Sequence, residues 1–131
     1  MKKLKHVMVL GLLVLVSAPV FAIERIAEFR GDRSMETREF EVQAPFLVDW
    51  IANSEYPGSM GLVIALIDAR TGTHEGYILK TKYRGNGLRL VEESGTYRFR
   101  IDSTFTDWQI RVDEITREEA EQYKPKQALD Y

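Results

Sequence analysis

The chain has 131 residues, of which 18 are basic, 20 are acidic and none is cysteine. The absence of cysteine excludes disulfide bonds, thiol catalysis and thiolate metal sites. A slightly acidic chain has no overall attraction for nucleic acid or for anionic lipid. The length suffices for one domain with one hydrophobic core.

The first 22 residues have the pattern of a secretory signal peptide. Three lysines precede an almost wholly apolar run over Val7–Val16, and small residues follow in Val20–Ala22. This order predicts cleavage after Ala22 and a periplasmic or secreted product. A transmembrane anchor is the alternative, but the run is about half of the roughly 20 apolar residues that a bilayer core requires. The remaining 109 residues carry 15 basic and 20 acidic side chains, a net charge of −5, and contain no second run of that kind.

The next part of the chain consists of short alternating segments separated by turn residues. Strands are predicted over residues 23–29, 37–42, 46–51, 60–68 and 76–84. Residues 60–68 are apolar on both faces, which predicts a central strand. Trp50 falls on an apolar strand face and is expected in the core. The turns between the strands contain glycine, proline, asparagine and aspartate, as turn chemistry requires.

The second half of the chain contains the two clearest hairpin patterns. The dipeptide Asn86-Gly87 favours a type I′ hairpin turn. Period-two alternation on both sides of Ser103–Thr106 predicts an antiparallel hairpin over Gly95–Val112. The residues of this hairpin that we expect to face the core are Tyr97, Phe99, Ile101, Trp108, Ile110 and Val112.

These segments together predict an all-β fold. Turn patterns about every ten residues are typical of an antiparallel β-sandwich, here of seven to eight strands with jelly-roll or immunoglobulin-like topology. Thr116 and Glu119 fit a capping box, which predicts a short C-terminal helix. The expected domains are a signal peptide over 1–22, the sandwich over 23–115, and a short helix with a flexible tail over 116–131.

Three segments carry a resemblance to other proteins. APFLVDW, GNGLRL and SGTYRFRIDSTFTDWQIRV resemble segments of small secreted bacterial β-sandwich domains of unknown function. The resemblance covers most of residues 37–113. Because these are packing and turn motifs, the resemblance implies a fold and implies no activity.

The outer face of the predicted hairpin is the first candidate contact surface. The hairpin would place Arg98 opposite Arg111, with Arg100 beside both. Like charges directly opposite each other on paired strands destabilise a sheet by up to about 1 kcal/mol. The compensation would come either from neighbouring carboxylates on a solvated face or from a bound anion.

Tyr56 is the second candidate contact residue. It lies beside Pro57-Gly58 in a predicted loop. With Asn53, Glu55 and Tyr83 it would line a small polar and aromatic rim, and an ordinary surface position is the alternative. Tyr56 is thus predicted as a binding residue together with the three arginines.

Patterns for catalysis or metal binding are sparse. His74 is the one histidine after the predicted cleavage site, and Asp68 and Glu75 near it lack metal-ligand spacing. No nucleophile elbow, P-loop or dinucleotide fingerprint is present. The carboxylates that could offer oxygens to calcium are Asp32, Asp49, Glu55 and Asp68, without a dense pattern. We therefore predict no catalytic residue, no metal and no cofactor.

The sequence predicts an exported, non-enzymatic β-sandwich that binds a partner in the cell envelope. The partner would be another envelope protein or a small or glycan ligand, with no nucleic acid and no membrane span. A small hydrolytic or metal-dependent enzyme is the alternative, and it requires Asp68, His74 and Glu75 to meet Asp49 or Glu55 in one pocket. A passive structural subunit that docks through an edge strand or its C-terminal tail is a third interpretation.

Overall fold

The computed structural model describes residues 23–124. The predicted signal peptide and residues 125–131 lie outside this range. The strands are β1 (Glu24–Gly31), β2 (Met35–Glu36), β3 (Phe40–Val42), β4 (Phe46–Asn53), β5 (Gly61–Asp68), β6 (His74–Thr81), β7 (Gly85–Val91), β8 (Gly95–Thr104) and β9 (Asp107–Glu114). A helix α1 (Arg117–Ala120) and one 3-10 turn (Glu121–Tyr123) follow.

The strands form two antiparallel sheets. Sheet 1 has the order β1-β9-β4-β7, and sheet 2 has the order β2-β8-β5-β6, with β3 also paired to β8. The first half of the chain pairs with the second half in reverse order. The pairs, from the innermost in sequence to the outermost, are β5–β6, β4–β7, β2/β3–β8 and β1–β9. This nested order of strand pairs, divided between two sheets, defines a jelly roll. The all-β sandwich is confirmed, and of the two predicted topologies the chain adopts the jelly roll.

The two strands predicted as a hairpin over Gly95–Val112 do not pair with each other, but the side chains predicted to be buried are buried. Strand β8 pairs with β5 in sheet 2, whereas β9 pairs with β1 and β4 in sheet 1. The six residues predicted to face the core are all at most 4% exposed. Alternation specifies which face of a strand is buried and leaves its partner strand open. In a sandwich, two consecutive strands that belong to different sheets each bury every second side chain in the shared core. Their alternation is therefore the same as that of a hairpin.

The predicted turn at Asn86-Gly87 is also wrong. Both residues lie inside β7, and the chain turns at residues 82–84, where it passes from sheet 2 to sheet 1. Gly87 is paired with Trp50, and a Cβ atom at Gly87 would lie 2.6 Å from Cζ2 of that indole. The glycine is therefore required for the close approach of a tryptophan ring to the strand.

The core between the sheets is rich in aromatic rings. Phe40 lies 5.1 Å from Phe99 and 5.9 Å from Phe29, measured between ring centroids. The predicted central strand is confirmed, because β5 lies between β8 and β6, and Ile67 is fully buried even though it points away from the core. Trp108 is buried and Trp50 packs against the same core, as predicted.

The C-terminal helix covers a second, smaller apolar cluster. Ala120 packs with Leu47 and Ile115, and Leu90 lies against them. Half of the predicted capping box is present, since the Glu119 backbone N–H donates to Oγ1 of Thr116 at 3.1 Å. The Glu119 carboxylate accepts the Thr116 hydroxyl at 3.2 Å and not its backbone N–H. The short helix thus covers the outer face of sheet 1 at one end of the sandwich.

The antiparallel order places four connections together at the other end. They are residues 32–34, 54–60, 82–84 and 105–106. The registers agree, because Gly31 pairs with Trp108, Asn53 with Asp107 and Gly61 with Thr104. Residues that are distant along the chain therefore meet at this end.

Candidate functional site

The three predicted arginines do not form one surface. Arg98 and Arg100 lie on the outer face of sheet 2, whereas Arg111 lies on sheet 1, on the opposite side of the sandwich. The predicted opposition of Arg98 and Arg111 is wrong, because β8 and β9 are not paired. Oε1 and Oε2 of Glu36 lie 3.1 Å from the Arg100 Nε and 3.5 Å from the Arg98 Nε. A carboxylate thus compensates these two charges.

Arg111 has carboxylate neighbours of its own. It is paired with Glu28 on one side and with Asp49 on the other, and its Nε lies 3.7 Å from Oε1 of Glu28. The Gln109 amide, at 2.6 Å, and then the Arg30 guanidinium donate hydrogen bonds to Glu28 and hold the pKa of that carboxyl below its usual range. Of the two expected sources of compensation, carboxylates and a bound anion, carboxylates are the neighbours found beside Arg111.

The carboxylates required by the enzyme alternative lie apart. Oδ1 of Asp68 accepts the Arg70 backbone N–H at 2.8 Å and so closes the turn after β5. The His74 ring packs edge-on against Tyr77, with 4.6 Å between ring centroids. Asp49 lies on the outer face of sheet 1, and Glu55 lies in a connection at the opposite end of the sandwich from His74. Within residues 23–124, no three His, Cys, Asp or Glu side chains are grouped to hold a metal ion.

Exposed aromatic side chains gather where the four connections meet. Tyr56, Tyr83 and Phe105 are 61%, 78% and 62% exposed, more than any other large hydrophobic side chain in the described range. They come from three different connections at the same end of the sandwich. We call these three residues and the connections that carry them the aromatic end. Tyr56 and Tyr83 were predicted for such a rim, and Phe105 was not.

Tyr56 and Phe105 form a pair that one buried hydroxyl fixes. Their ring centroids are 5.5 Å apart and their planes are tilted by 60°. The Ser54 hydroxyl donates to the Phe105 carbonyl and accepts the Tyr56 backbone N–H at 3.0 Å. Because Ser54 is buried, the same side chain holds both connections in place. The aromatic pair is therefore organised before any ligand arrives.

The turn that carries Phe105 is held in a strained conformation. Phe105 has φ of 48°, in the left-handed region that bulky residues avoid. The buried Thr106 hydroxyl shares its one hydrogen between two carbonyl oxygens, those of Thr104 at 2.8 Å and Gly61 at 3.1 Å. The Ser103 hydroxyl donates to the Thr106 carbonyl at 2.7 Å. These hydrogen bonds fix the turn from which the exposed Phe105 ring projects.

A cavity of about 270 Å³ opens beside the aromatic pair. Three carboxylates line it, and they belong to Asp32, Glu55 and Asp107. Ring faces offer apolar contact to C–H groups, and carboxylate oxygens accept hydrogen bonds from hydroxyls. This combination suits a small ligand with both apolar faces and hydroxyl groups.

The parts of the site that were not predicted have only weak signals in the sequence. Phe105 is an aromatic residue inside a Ser/Thr-rich turn, which is a signal for an exposed ring. Ser54 and Thr106 carry no such signal, because polar residues in turns are usually exposed. Their burial results from the meeting of connections that are about 50 residues apart along the chain, such as Ser54 and Phe105.

No family model matches the chain, and no curated protein matches it. Jelly rolls occur in proteins of many functions, so the fold alone assigns none. In the part of the chain that the structure describes, the helices are too short to cross a bilayer.

Proposed function

We propose that this chain is an exported, non-enzymatic binding module whose aromatic end binds a glycan. The observation that carries the proposal is the Tyr56–Phe105 pair, exposed in the solvent and fixed by Ser54. A sugar ring would stack its C–H face on one of these two rings and contact the other, because the two ring planes are tilted by 60°. Its hydroxyls would donate to the carboxylates of Asp32 and Asp107 beside the pair.

Size and charge favour a glycan over a protein partner. The cores of protein interfaces are depleted of charged side chains, and stable interfaces bury about 800 Å² on each partner. The cavity at the aromatic pair has about 270 Å³ and three carboxylates, close to the lower end of the volumes usual for small-ligand sites, roughly 300 Å³. Asp32 is already paired with Arg33, with 3.2 Å between Oδ1 and Nε. A hydroxyl-rich ligand satisfies the carboxylates of Glu55 and Asp107, whereas an apolar protein surface would leave these two without a hydrogen-bond donor.

The predicted export supports the same proposal. A protein with a cleavable signal peptide functions where the polysaccharides of the cell envelope and its surroundings lie. The expected affinity of a single sugar site is modest, since a shallow site buries little of its ligand.

The test is a binding measurement on a panel of neutral oligosaccharides of glucose, galactose, mannose and N-acetylglucosamine. We expect wild-type protein to bind at least one of them. Tyr56→Ala and Phe105→Ala should each weaken that binding at least about tenfold, equivalent to about 1.4 kcal/mol. Isothermal titration calorimetry or affinity electrophoresis would measure the change.

Tyr123→Ala is the matched control, because Tyr123 is an exposed aromatic residue in the 3-10 turn after α1. It should bind as the wild type does. Equal losses in Tyr123→Ala and Tyr56→Ala, or no binding to any oligosaccharide of the panel, would contradict the proposal.

A further inference from the structure

A second depression lies next to the aromatic end, on the outer face of sheet 2. It has a volume of about 510 Å³. We call it the Val63 groove, and the side chains that matter in it are Val63, Lys80, Lys82, Tyr83, Asp102 and Thr104. Its floor is apolar and comes from the start of β5. Its walls come from β6 on one side and β8 on the other.

The β6 wall carries two lysines available to a ligand. Lys80 Nζ lies 3.6 Å from the centroid of the Tyr77 ring, so a cation–π contact positions its ammonium group. Neither Lys80 nor Lys82 forms an ion pair with a carboxylate of residues 23–124. An anion in the groove would therefore meet cations that no described carboxylate already neutralises.

The opposite wall carries a carboxylate. Val63 is paired with Lys80 on one side and with Asp102 on the other, so the cation and the anion face each other across the floor. A ligand that is only an anion gains from Lys80 and is repelled by Asp102. A ligand that bears both an anionic group and hydroxyls satisfies both walls.

The groove and the aromatic end are adjacent. Thr104 lines the groove, and the next residue, Phe105, lines the cavity of the aromatic pair. Tyr83 belongs to both the groove and the aromatic end. Its turn is fixed by Thr81, whose Oγ1 accepts the Tyr83 backbone N–H at 3.1 Å. A chain-like ligand can therefore contact both depressions at once.

We propose that the Val63 groove binds the carboxylate, sulfate or phosphate group of an acidic polysaccharide, one sugar of which stacks at the aromatic end. Lys80 and Lys82 hold the anionic group. The Asp102 carboxylate accepts a hydrogen bond from a hydroxyl of the same sugar, and Tyr83 packs against the sugar ring. This inference rests on the proposed glycan-binding function and narrows its ligand to charged glycans. The chain as a whole is net acidic, and three carboxylates line the cavity of the aromatic pair. The attraction for the anionic group is therefore local to the two lysines of the groove.

The experiment uses a panel of polysaccharides that carry carboxylate, sulfate or phosphate groups, each paired with its esterified, desulfated or dephosphorylated form. We expect wild-type protein to bind at least one charged polymer at least about tenfold more tightly than its neutral partner. The double variant Lys80→Gln/Lys82→Gln should lose that preference while its binding to the neutral form stays unchanged. Raising sodium chloride from about 50 mM to about 500 mM should weaken only the binding of the charged form.

Arg70→Gln/Arg117→Gln is the matched control, because it removes two exposed cations at the opposite end of the sandwich. It should behave as the wild type does. A thermal unfolding midpoint measured for each variant shows whether the fold is intact.

The outcomes separate this inference from the proposed function. Equal binding of charged and neutral forms, still lost in Tyr56→Ala, would overturn the inference and leave the proposed function in place. Binding that depends on the two lysines and not on Tyr56 would show an anion site in the groove, but it would overturn the proposed function and the stacking of a sugar at the aromatic end. No binding to any polysaccharide, or binding to anionic phospholipid vesicles alone, would overturn both.

Discussion

The two ends of the sandwich differ in which aromatic and hydroxyl side chains are buried. At the end that carries the helix, Tyr97 is buried and its hydroxyl donates to the Glu93 carbonyl at 2.7 Å. At the aromatic end, the hydroxyls of Ser54 and Thr106 are buried, and the rings of Tyr56 and Phe105 are exposed. At the helix end a buried ring uses its own hydroxyl to fix a connection, whereas at the aromatic end buried hydroxyls fix the connections that carry two exposed rings.

This difference indicates that the two ends serve different purposes. Burying a large apolar side chain stabilises a protein by about 1.5–3 kcal/mol, and the aromatic end forgoes this gain at three positions. It also holds Phe105 at φ of 48°, a strain that costs about 1 kcal/mol or more for a residue of this kind. Stability alone accounts for the helix end and does not account for the aromatic end.

The largest expected effect is the loss of a core ring. Phe99 lies in the core and is completely buried, with 0% of its surface accessible to solvent. Phe99→Ala should lower the free energy of unfolding by about 3–5 kcal/mol, because a large cavity remains in the rigid core. Urea denaturation followed by tryptophan fluorescence measures this loss. A loss no larger than that caused by Tyr56→Ala would contradict the division between core and aromatic end.

A smaller effect is expected where Gly87 meets Trp50. Gly87→Ala places a Cβ atom 2.6 Å from the indole, so the ring must move, at a cost of about 1–3 kcal/mol. Gly85→Ala is the matched control in the same strand, since a Cβ atom there has no neighbour within 4 Å. It should change stability by less than about 0.5 kcal/mol. Equal losses in the two variants, read from urea midpoints, would show that the close approach is unimportant.

Tyr97→Phe tests the helix end. Loss of the hydrogen bond to the Glu93 carbonyl should lower stability at pH 7 by about 1 kcal/mol. Burial, and then the Glu93 carboxylate, raise the pKa of Tyr97 above its usual value. The stability due to the neutral phenol is therefore complete below about pH 10, the usual tyrosine value, and is lost as the pH rises through the raised pKa.

The variant lacks this titration, so the stability difference between Tyr97→Phe and wild type should shrink above about pH 10. Unfolding midpoints at several alkaline pH values measure it. A difference that stays constant, or grows, with rising pH would contradict the burial of a neutral phenol at this end.

Much of the fold could be predicted from the sequence, because burial follows a local period. The alternation in Tyr97–Ile101 and Trp108–Val112 predicted which side chains are buried, and the all-apolar segment ending at Ile67 predicted a central strand. Pairing was harder to predict. The sequences of β8 and β9 predicted one hairpin, although the two strands belong to different sheets. Side chains alternate with the same period whether consecutive strands pair with each other or lie in different sheets.

The candidate site could be predicted only in part. Tyr56 stands beside Pro57-Gly58, and this turn chemistry places its ring in a loop. Ser54 and Phe105 are 51 positions apart, and only the jelly-roll nesting brings them together. The sequence likewise could not show that Arg98 and Arg111 lie on opposite faces, since this depends on the sheet to which each strand belongs.

Phe105→Gly tests most directly whether the aromatic end is built for binding and not for stability. Glycine adopts the left-handed region without strain, so the free energy of unfolding should stay unchanged or rise by up to about 1 kcal/mol. Glycan binding of the same variant should fall at least about tenfold. Stability lowered by more than about 1 kcal/mol, together with binding within about twofold of wild type, would contradict our view of this end.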